Sequence, residues 1–237
     1  RVDIDPLVLA DPQAAPFAIL GDAVQVMAAL DAALPDERTA AGWNAAEVAG
    51  WRKRWRSEVD MERPGILAVV EAVKAATPEG TMIYSDMTQF AYGALEVWDM
   101  PRPGHWHHPS GFGTLGYALP AAIGGAVGRP GLPTCAILGD YGLQYTLPEL
   151  GTAVELGLPL PILVWDNGAL GEIRENMVSA QIEPNAVVAR NPDFLALARA
   201  YGAAAVEPAS LAGLQRAVTT AFEAKGPTLI RMTQAML

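Results

Sequence analysis

Hydrophobic and polar positions alternate regularly from about residue 61 to the end of the chain. Short apolar runs of strand length occupy residues 81–86, 134–139, 161–166, 203–208 and 227–232. Longer segments with apolar residues at helical spacing occupy residues 65–77, 114–128, 146–157, 171–177, 191–202 and 211–225. Buried strands that alternate with helices predict an α/β fold, in which a parallel sheet is flanked by helices on both faces.

The first quarter of the chain has a different pattern. Residues 1–34 contain two short apolar runs followed by a helical pattern, which we interpret as the remnant of a preceding α/β domain. Residues 35–60 are polar, helix-prone and rich in tryptophan, and we interpret them as a connecting segment. The main domain is therefore predicted to span residues 61–237.

Composition and charge exclude several classes of partner. The chain has 237 residues, of which 51% are hydrophobic and 18% are charged, so a sizeable core can form. Its net charge of −10 argues against binding to nucleic acid or to an anionic membrane surface. The single cysteine, Cys135, permits no internal disulfide and fits a reducing, cytoplasmic location. The uncharged stretch at 109–128 contains six glycines and two prolines, which favours a glycine-rich loop entering a buried helix over a membrane span.

The glycine motif GFGTLG at residues 111–116 superficially resembles a dinucleotide-binding turn. Such a turn requires a strand immediately before its first glycine, so that the pyrophosphate meets the start of the following helix. The residues before this motif, at 100–110, include three prolines and three histidines, a composition that excludes a central strand. An NAD-binding oxidoreductase is therefore the less favoured interpretation.

Polar residues follow three of the predicted strands where each strand ends, at Asp86, Asp140 and Asn167. Ligands of parallel α/β sheets bind at this carboxyl edge. A carboxylate and an amide oxygen suit a hard cation such as Mg²⁺, which shares its coordination shell with substrate phosphates. Asp140 by itself could equally cap a helix, but its spacing of 27 residues from Asn167 and the flanking glycines favour a metal and diphosphate site.

These motifs resemble those of a known superfamily. The pattern GD-x-G-x(24)-N at residues 139–167, together with SGFGTLGYALPAAIGGAVG at 110–128, is similar to the cofactor-binding motifs of thiamine diphosphate-dependent 2-oxo acid decarboxylases and acetolactate synthases. The resemblance covers residues 61–237 and implies a thiamine diphosphate-binding fold. Residues 1–34 resemble the end of that family's middle domain.

The resemblance also implies roles for particular residues. Asp140, Asn167 and the backbone carbonyl of Ala169 are expected to bind Mg²⁺. The remaining residues expected to contact thiamine diphosphate are Thr88, Gln89, Gly113, Leu115, Gly139, Tyr141 and Gly142. Among these, Gly113 would meet the aminopyrimidine ring and Leu115 would lie under the thiazolium ring.

Two departures from the family pattern are informative. Tyr141 replaces a glycine, which requires a negative φ and a side chain directed away from the diphosphate, so that only its N–H contributes. Asp166 replaces the first asparagine of an Asn–Asn pair, a position not expected to contact the metal. Decarboxylases of 2-ketoarginine resemble this chain in both the GDYG and the GEIR segments, at residues 139–142 and 171–174.

Three histidines precede the glycine-rich motif, at positions 105, 107 and 108. His107 and His108 are candidates for proton transfer, with ordinary loop histidines as the alternative. A zinc site is disfavoured because no carboxylate or cysteine lies at ligand spacing.

The resemblance implies a 2-oxo acid substrate and a catalytic glutamate on a separate pyrimidine-binding domain. We find no matching glutamate context in this chain, so we expect it to be a fragment or one subunit of a split enzyme. The expected assembly is a homodimer or homotetramer that includes the missing domain. A noncatalytic assembly module with the same fold remains the alternative.

Overall fold

The computed structural model describes residues 1–10, 17–35, 42–188 and 190–237. It divides into two compact units, Arg1–Gly50 and Trp51–Leu237. Among the described residues, no helix is both long and apolar enough to cross a membrane.

The first unit contains a small parallel sheet made of β1 (Val2–Asp3) and β2 (Ile19–Leu20). Helix α1 (Ala23–Ala33) follows, capped by Asp22, whose carboxylate accepts hydrogen bonds from the first free backbone N–H groups of the helix. Helix α2 (Ala45–Glu62) contains the boundary between the units. Its helical structure agrees with the helix-prone character of residues 35–60, whereas the assignment of residues 1–34 to a middle domain stays a prediction.

The second unit is built on a six-stranded parallel sheet with the order β4-β3-β5-β6-β8-β7. Its strands are β3 (Met82–Ser85), β4 (Trp106–His107), β5 (Thr134–Gly139), β6 (Pro161–Trp165), β7 (Ala204–Val206) and β8 (Thr228–Met232). Its helices are α3 (Ile66–Ala76), α4 (Gln89–Val97), α5 (Ala118–Gly128), α6 (Asp140–Thr146), α7 (Glu149–Glu155), α8 (Gly171–Ser179), α9 (Phe194–Ala200) and α10 (Leu211–Phe222).

Apolar side chains pack on both faces of this sheet. On one face, Ile137, Leu163 and Ile230 pack with helices α3, α4 and α10. On the other, Leu138 and Val164 pack with helices α5, α7 and α9. Since successive strand residues face opposite sides, fully apolar strands such as β5 and β6 require cover on both faces. The predicted fold class, a parallel sheet flanked by helices on both faces, is confirmed.

Three local details differ from the sequence-based expectation. The segment at 100–110, whose composition excluded a central strand, contains the short edge strand β4, which pairs with β3. The helix expected from residue 114 begins only at Ala118, because a turn precedes it. The helix expected at 146–157 is preceded by a separate helix, α6, which starts at Asp140 directly from the end of β5. This last difference places Asp140 in a helical first turn at the sheet edge.

Candidate functional site

A cavity of about 350 Å³ lies at the carboxyl edge of the sheet. Every residue that the sequence predicted to contact the cofactor lines it: Thr88, Gln89, Gly113, Leu115, Gly139, Asp140, Tyr141, Gly142, Asn167 and Ala169. The sheet order explains this convergence, because β3, β5 and β6 are neighbours and their ends therefore meet at one place.

Asp140 lies at the base of this cavity and is only 2% exposed. One carboxylate oxygen accepts the Tyr141 N–H at 3.0 Å, and the other accepts the side-chain amide of Asn191 at 2.6 Å. Burial raises the pKa of Asp140, and the hydrogen bonds from Asn191 and Tyr141 offset this only in part. Among the described residues, no Lys or Arg forms an ion pair with it. A buried carboxylate without a cationic partner fits a site for a bound cation.

Asn167 supplies the second oxygen of the predicted metal site. Its amide nitrogen donates to Gln89 Oε1 at 2.9 Å, which fixes the orientation of the amide. Its amide oxygen accepts the Ala169 N–H at 3.1 Å and retains a second lone pair. Gly168 has a φ of 65°, so it allows the tight turn that brings Ala169 back to the cavity. These oxygen donors fit the hard-cation chemistry of Mg²⁺.

Asp86 has a structural role that the sequence did not reveal. It is fully buried, and its two carboxylate oxygens accept the backbone N–H groups of Gly116 and Ala118 at 2.8 and 2.7 Å. These bonds hold the glycine-rich turn against the end of β3 and bring Gly113 and Leu115 to the cavity wall.

Gly142 passes close beside the Asp86 carboxylate. A Cβ at position 142 would clash with an Asp86 side-chain oxygen, so the start of α6 can approach the glycine-rich turn only without a side chain there. The close approach of the backbone in this corner of the cavity suits a ligand bound through main-chain N–H groups.

Tyr141 lies in the first turn of α6, where φ is negative, so replacing glycine with tyrosine introduces no backbone strain. Its N–H donates to the Asp140 carboxylate of the neighbouring residue. This geometry agrees with the expectation for its backbone, while its contact with a diphosphate stays a prediction.

A polar network behind Asp140 was also missed by the sequence analysis. The side-chain nitrogen of Asn191 donates to both Asp140 and Asp166, the latter at 2.8 Å. Asp166 in turn forms an ion pair with Arg231 at 2.7 Å. Asp166, which replaces the first asparagine of the motif, therefore has Arg231 as its cationic partner. Asp140 has no such partner among the described residues.

The histidines are placed differently from the predicted cofactor residues. Neither His107 nor His108 lines the cavity. His107 stacks on Tyr84, with ring centroids 4.8 Å apart, and His108 Nδ1 lies 2.9 Å from Ser85 Oγ. Burial lowers the pKa of His108, which favours its neutral form. Their position does not support a proton-transfer role at the cavity, and no group of metal-ligating side chains that includes them occurs in the described parts of the chain.

The remaining cavity wall comes from residues that sequence reasoning did not select: Met87, Tyr92, Leu170, Gly171, Glu172 and Ile173. Met87 directly precedes Thr88, Tyr92 lies in the first turn of α4, and the other four lie at or just before the start of α8. Of the six, only Gly171, Glu172 and Ile173 had a sequence signal, the GEIR segment at residues 171–174.

Comparison with known proteins identifies the family of this chain. The profile of the family described as "Thiamine pyrophosphate enzyme, C-terminal TPP binding domain" matches residues 86–232. The probable 2-ketoarginine decarboxylase of Pseudomonas aeruginosa is 42% identical over 236 residues, which cover 99% of this chain and 42% of that protein. The large subunit of acetolactate synthase isozyme 3 of Escherichia coli is 27% identical, over 94% of this chain and 40% of its own length.

A solved structure of a thiamine diphosphate-dependent 4-hydroxybenzoylformate decarboxylase from Rhodococcus jostii has the same fold, with a TM-score of 0.68 at 21% identity over 92% of this chain and 40% of that chain. The chain thus spans about two fifths of the length of these relatives. The predicted superfamily is confirmed, and with it thiamine diphosphate and Mg²⁺, which this family binds together. Since the family profile covers more than half of its residues, the chain belongs to the C-terminal, cofactor-binding domains of the thiamine pyrophosphate enzymes.

Proposed function

We propose that this chain supplies the diphosphate- and metal-binding half of an active site that converts 2-oxo acids. The observation that carries the proposal is one cavity lined by all the residues expected to contact the cofactor, including the buried Asp140, which forms no ion pair with any Lys or Arg that the structure describes. When bound, thiamine diphosphate supplies the electron sink that lets a 2-oxo acid lose CO₂. The residues of the chain bind and orient this group and exclude water around it.

The metal would be held by the oxygens of Asp140 and Asn167 and by the backbone carbonyl of Ala169. Asn191 donates an amide hydrogen to Asp140, and Gln89 accepts one from Asn167. These two hydrogen bonds fix the orientation of the two side chains. Such outer partners set the orientation of the ligands and strengthen metal binding.

The diphosphate would lie against Gly139 and the first turn of α6, near the backbone N–H group of Gly142. The Tyr141 N–H, which donates to Asp140 in this structure, would turn to the diphosphate when it binds. Thr88 and Gln89, at the start of α4, line the same side of the cavity. Elsewhere in the cavity lining, the backbone carbonyl of Gly113 would accept a hydrogen bond from the aminopyrimidine ring, and Leu115 would support the ring system through apolar contact.

Decarboxylation of 2-ketoarginine is the favoured reaction. The probable 2-ketoarginine decarboxylase is 42% identical to this chain over nearly all of its length, whereas the acetolactate synthase subunit is 27% identical. The GDYG and GEIR segments support the same choice. Carboligation of the acetolactate synthase type is the second candidate within the superfamily.

A covering partner is part of the proposal. Apolar side chains stay exposed around the cavity mouth, among them Phe112 at 90%, Tyr145 at 65% and Ile173 at 50% exposure. Burying them under a pyrimidine-binding domain would complete the site and add the catalytic glutamate expected on that domain. We place that domain in a homodimer or homotetramer, in the cytoplasm as the single buried Cys135 suggests.

The experiment is a measurement of CO₂ release from a panel of 2-oxo acids, including pyruvate and 2-ketoarginine, with saturating thiamine diphosphate and Mg²⁺. A full-length protein that contains this chain should turn over at least one of them, whereas residues 1–237 alone should match the blank without protein. Adding the pyrimidine-binding domain to the isolated chain should restore activity.

Two results would contradict the proposal. A full-length protein that binds thiamine diphosphate and converts no 2-oxo acid would support a noncatalytic assembly module. Turnover by residues 1–237 alone would show that an acid within this chain replaces the missing glutamate.

A further inference from the structure

One carboxylate in the cavity has no partner. Glu172, in the first turn of α8, lines the same cavity as Asp140 and is half-buried. Among the described residues, none forms a hydrogen bond or an ion pair with its carboxylate. Glu175, one turn further along α8, instead accepts a hydrogen bond from Gln89 at 2.9 Å. A carboxylate that lines a cavity without a protein partner is free to pair with a cationic group of a ligand.

Tyr92 of α4 lies close to Glu172 on the cavity wall. Burial, followed by the negative charge of Glu172, raises the pKa of the Tyr92 phenol, which therefore stays neutral. The ring is held by an edge contact with His108, at a centroid distance of 6.2 Å. An aromatic face beside a carboxylate attracts a planar cation by two mechanisms, the cation–π interaction and the charge-assisted hydrogen bond.

The charges of the cavity point to the same kind of ligand. Of the residues that the structure describes, Asp140 and Glu172 are the charged ones in its lining, which includes no Lys, Arg or His. Asp140 is assigned to the metal, so the charge of Glu172 is left for the substrate. The substrate's own carboxylate carries the same sign as Glu172, and repulsion directs that carboxylate away. Glu172 therefore faces the opposite end of the substrate.

We infer that Glu172, with the Tyr92 ring beside it, selects 2-oxo acids that carry a cationic group at the end distant from the oxo acid. The inference rests on the proposed function. It extends that function by assigning the choice of substrate to Glu172 and Tyr92. Its substrate class is the guanidino or amino 2-oxo acids, with the guanidinium group forming a paired hydrogen bond to Glu172.

The test compares two nearly isosteric substrates in the full-length holoenzyme, 2-oxo-5-guanidinopentanoate and its neutral counterpart 2-oxo-5-ureidopentanoate. Wild-type kcat/KM should favour the guanidino acid by about 30- to 100-fold, the effect expected of a charge-assisted bond in a partly desolvated site. Glu172→Gln should reduce this preference to within about 3-fold, mainly by lowering kcat/KM for the guanidino acid.

Matched variants separate this role from others. Glu155→Gln removes an exposed carboxylate of α7 that does not line the cavity, and should keep the full preference. Tyr92→Phe keeps the aromatic face and should change the preference little, whereas Tyr92→Leu should reduce it several-fold. An equal loss of kcat for both substrates in Glu172→Gln would show a role in proton transfer and would overturn the inference.

Binding of ligands without the oxo group makes the inference independent of turnover. Calorimetry of the full-length protein loaded with thiamine diphosphate and Mg²⁺ should give tighter binding of 5-guanidinopentanoate than of 5-ureidopentanoate, and Glu172→Gln should remove the difference. If this holds without turnover of any 2-oxo acid, the proposed function fails and the selectivity stands. Turnover without any preference for the cation in the wild type would leave the function intact and refute the selectivity.

Discussion

Asp86 and Asp140 are buried carboxylates at the ends of neighbouring parallel strands, β3 and β5, yet their surroundings differ. Asp86 accepts two backbone N–H groups from a turn 30 and 32 residues away in sequence, and it does not line the cavity. Asp140 accepts the N–H of its own neighbour and a side-chain amide from Asn191, and it does line the cavity. Burial raises the pKa of both.

The difference shows that a buried carboxylate at the end of a parallel strand can either stabilise the fold or remain available to a ligand. The bonds to Asp86 join the glycine-rich turn to the sheet, so its charge is used within the fold. The bonds to Asp140 orient its carboxylate but supply no positive charge, which leaves this charge to be neutralised by a bound cation. Substitutions at the two sites should therefore affect different measurements.

The largest effect is expected for Asp140→Ala. Losing a carboxylate ligand should weaken Mg²⁺-dependent binding of thiamine diphosphate by more than about 100-fold, beyond what loss of an outer partner causes. The thermal stability of the ligand-free protein should fall less than in Asp86→Ala, because the Asn191 amide keeps Asp166 as an acceptor. Calorimetric titration of a full-length protein measures the binding, with Asp60→Ala, an exposed position, as the control. Unchanged affinity would refute the assignment of Asp140 to the metal.

Asp86→Ala should act on stability instead. It leaves two buried N–H groups without acceptors, so the free energy of unfolding should fall by about 2–3 kcal/mol with or without Mg²⁺. Urea denaturation followed by circular dichroism measures this. A loss of cofactor binding at full stability would contradict the structural role.

The pH dependence of this second variant follows from the raised pKa of Asp86. A carboxyl group whose pKa is higher in the folded than in the unfolded state contributes stability that is complete below the unfolded pKa and is lost as the pH rises through the folded pKa. The stability difference between the wild type and Asp86→Ala should therefore shrink from about pH 3 toward neutrality. A difference that grows over this range would show that the hydrogen bonds to Asp86 outweigh the effect of its burial.

A smaller effect is expected for Asn191→Ala, which removes the amide that orients Asp140 without removing the ligand itself. Cofactor affinity in the presence of Mg²⁺ should fall by about 10-fold, at the low end of the range for partners of metal ligands. The same titration measures this. An effect as large as that of Asp140→Ala would place Asn191 among the groups that contact the metal or the cofactor.

The smallest effect is expected for Tyr141→Phe. Since the backbone N–H of residue 141 is kept, cofactor affinity should stay within a few-fold, about 1 kcal/mol or less. A hundredfold loss of cofactor affinity would show that the Tyr141 hydroxyl group binds the ligand. Residue 141 would then contribute through its side chain as well as through its backbone.

Much of the site was accessible to sequence reasoning for a local reason. The period of the apolar positions located the strands, and a parallel sheet brings their carboxyl ends together, so Asp140 and Asn167 were selected with the glycines around them. The motif resemblance then gave Gly113, Leu115 and Ala169 their place on the cavity wall. Helix α6 was missed because a seven-residue helix that follows a strand directly has no separate periodic signal.

The sequence by itself determined the alternation of strands and helices, the edge of the sheet at which a ligand binds, and the polar residues at that edge. Only the tertiary structure decided which partner each of those residues has. Asn191 reaches Asp140 across 51 positions, and Tyr92 meets Glu172 from a different helix. Periodicity reports on neighbours within one element, whereas the pairing of a buried charge depends on how separate elements pack, and this packing separates the structural Asp86 from the metal-binding candidate Asp140.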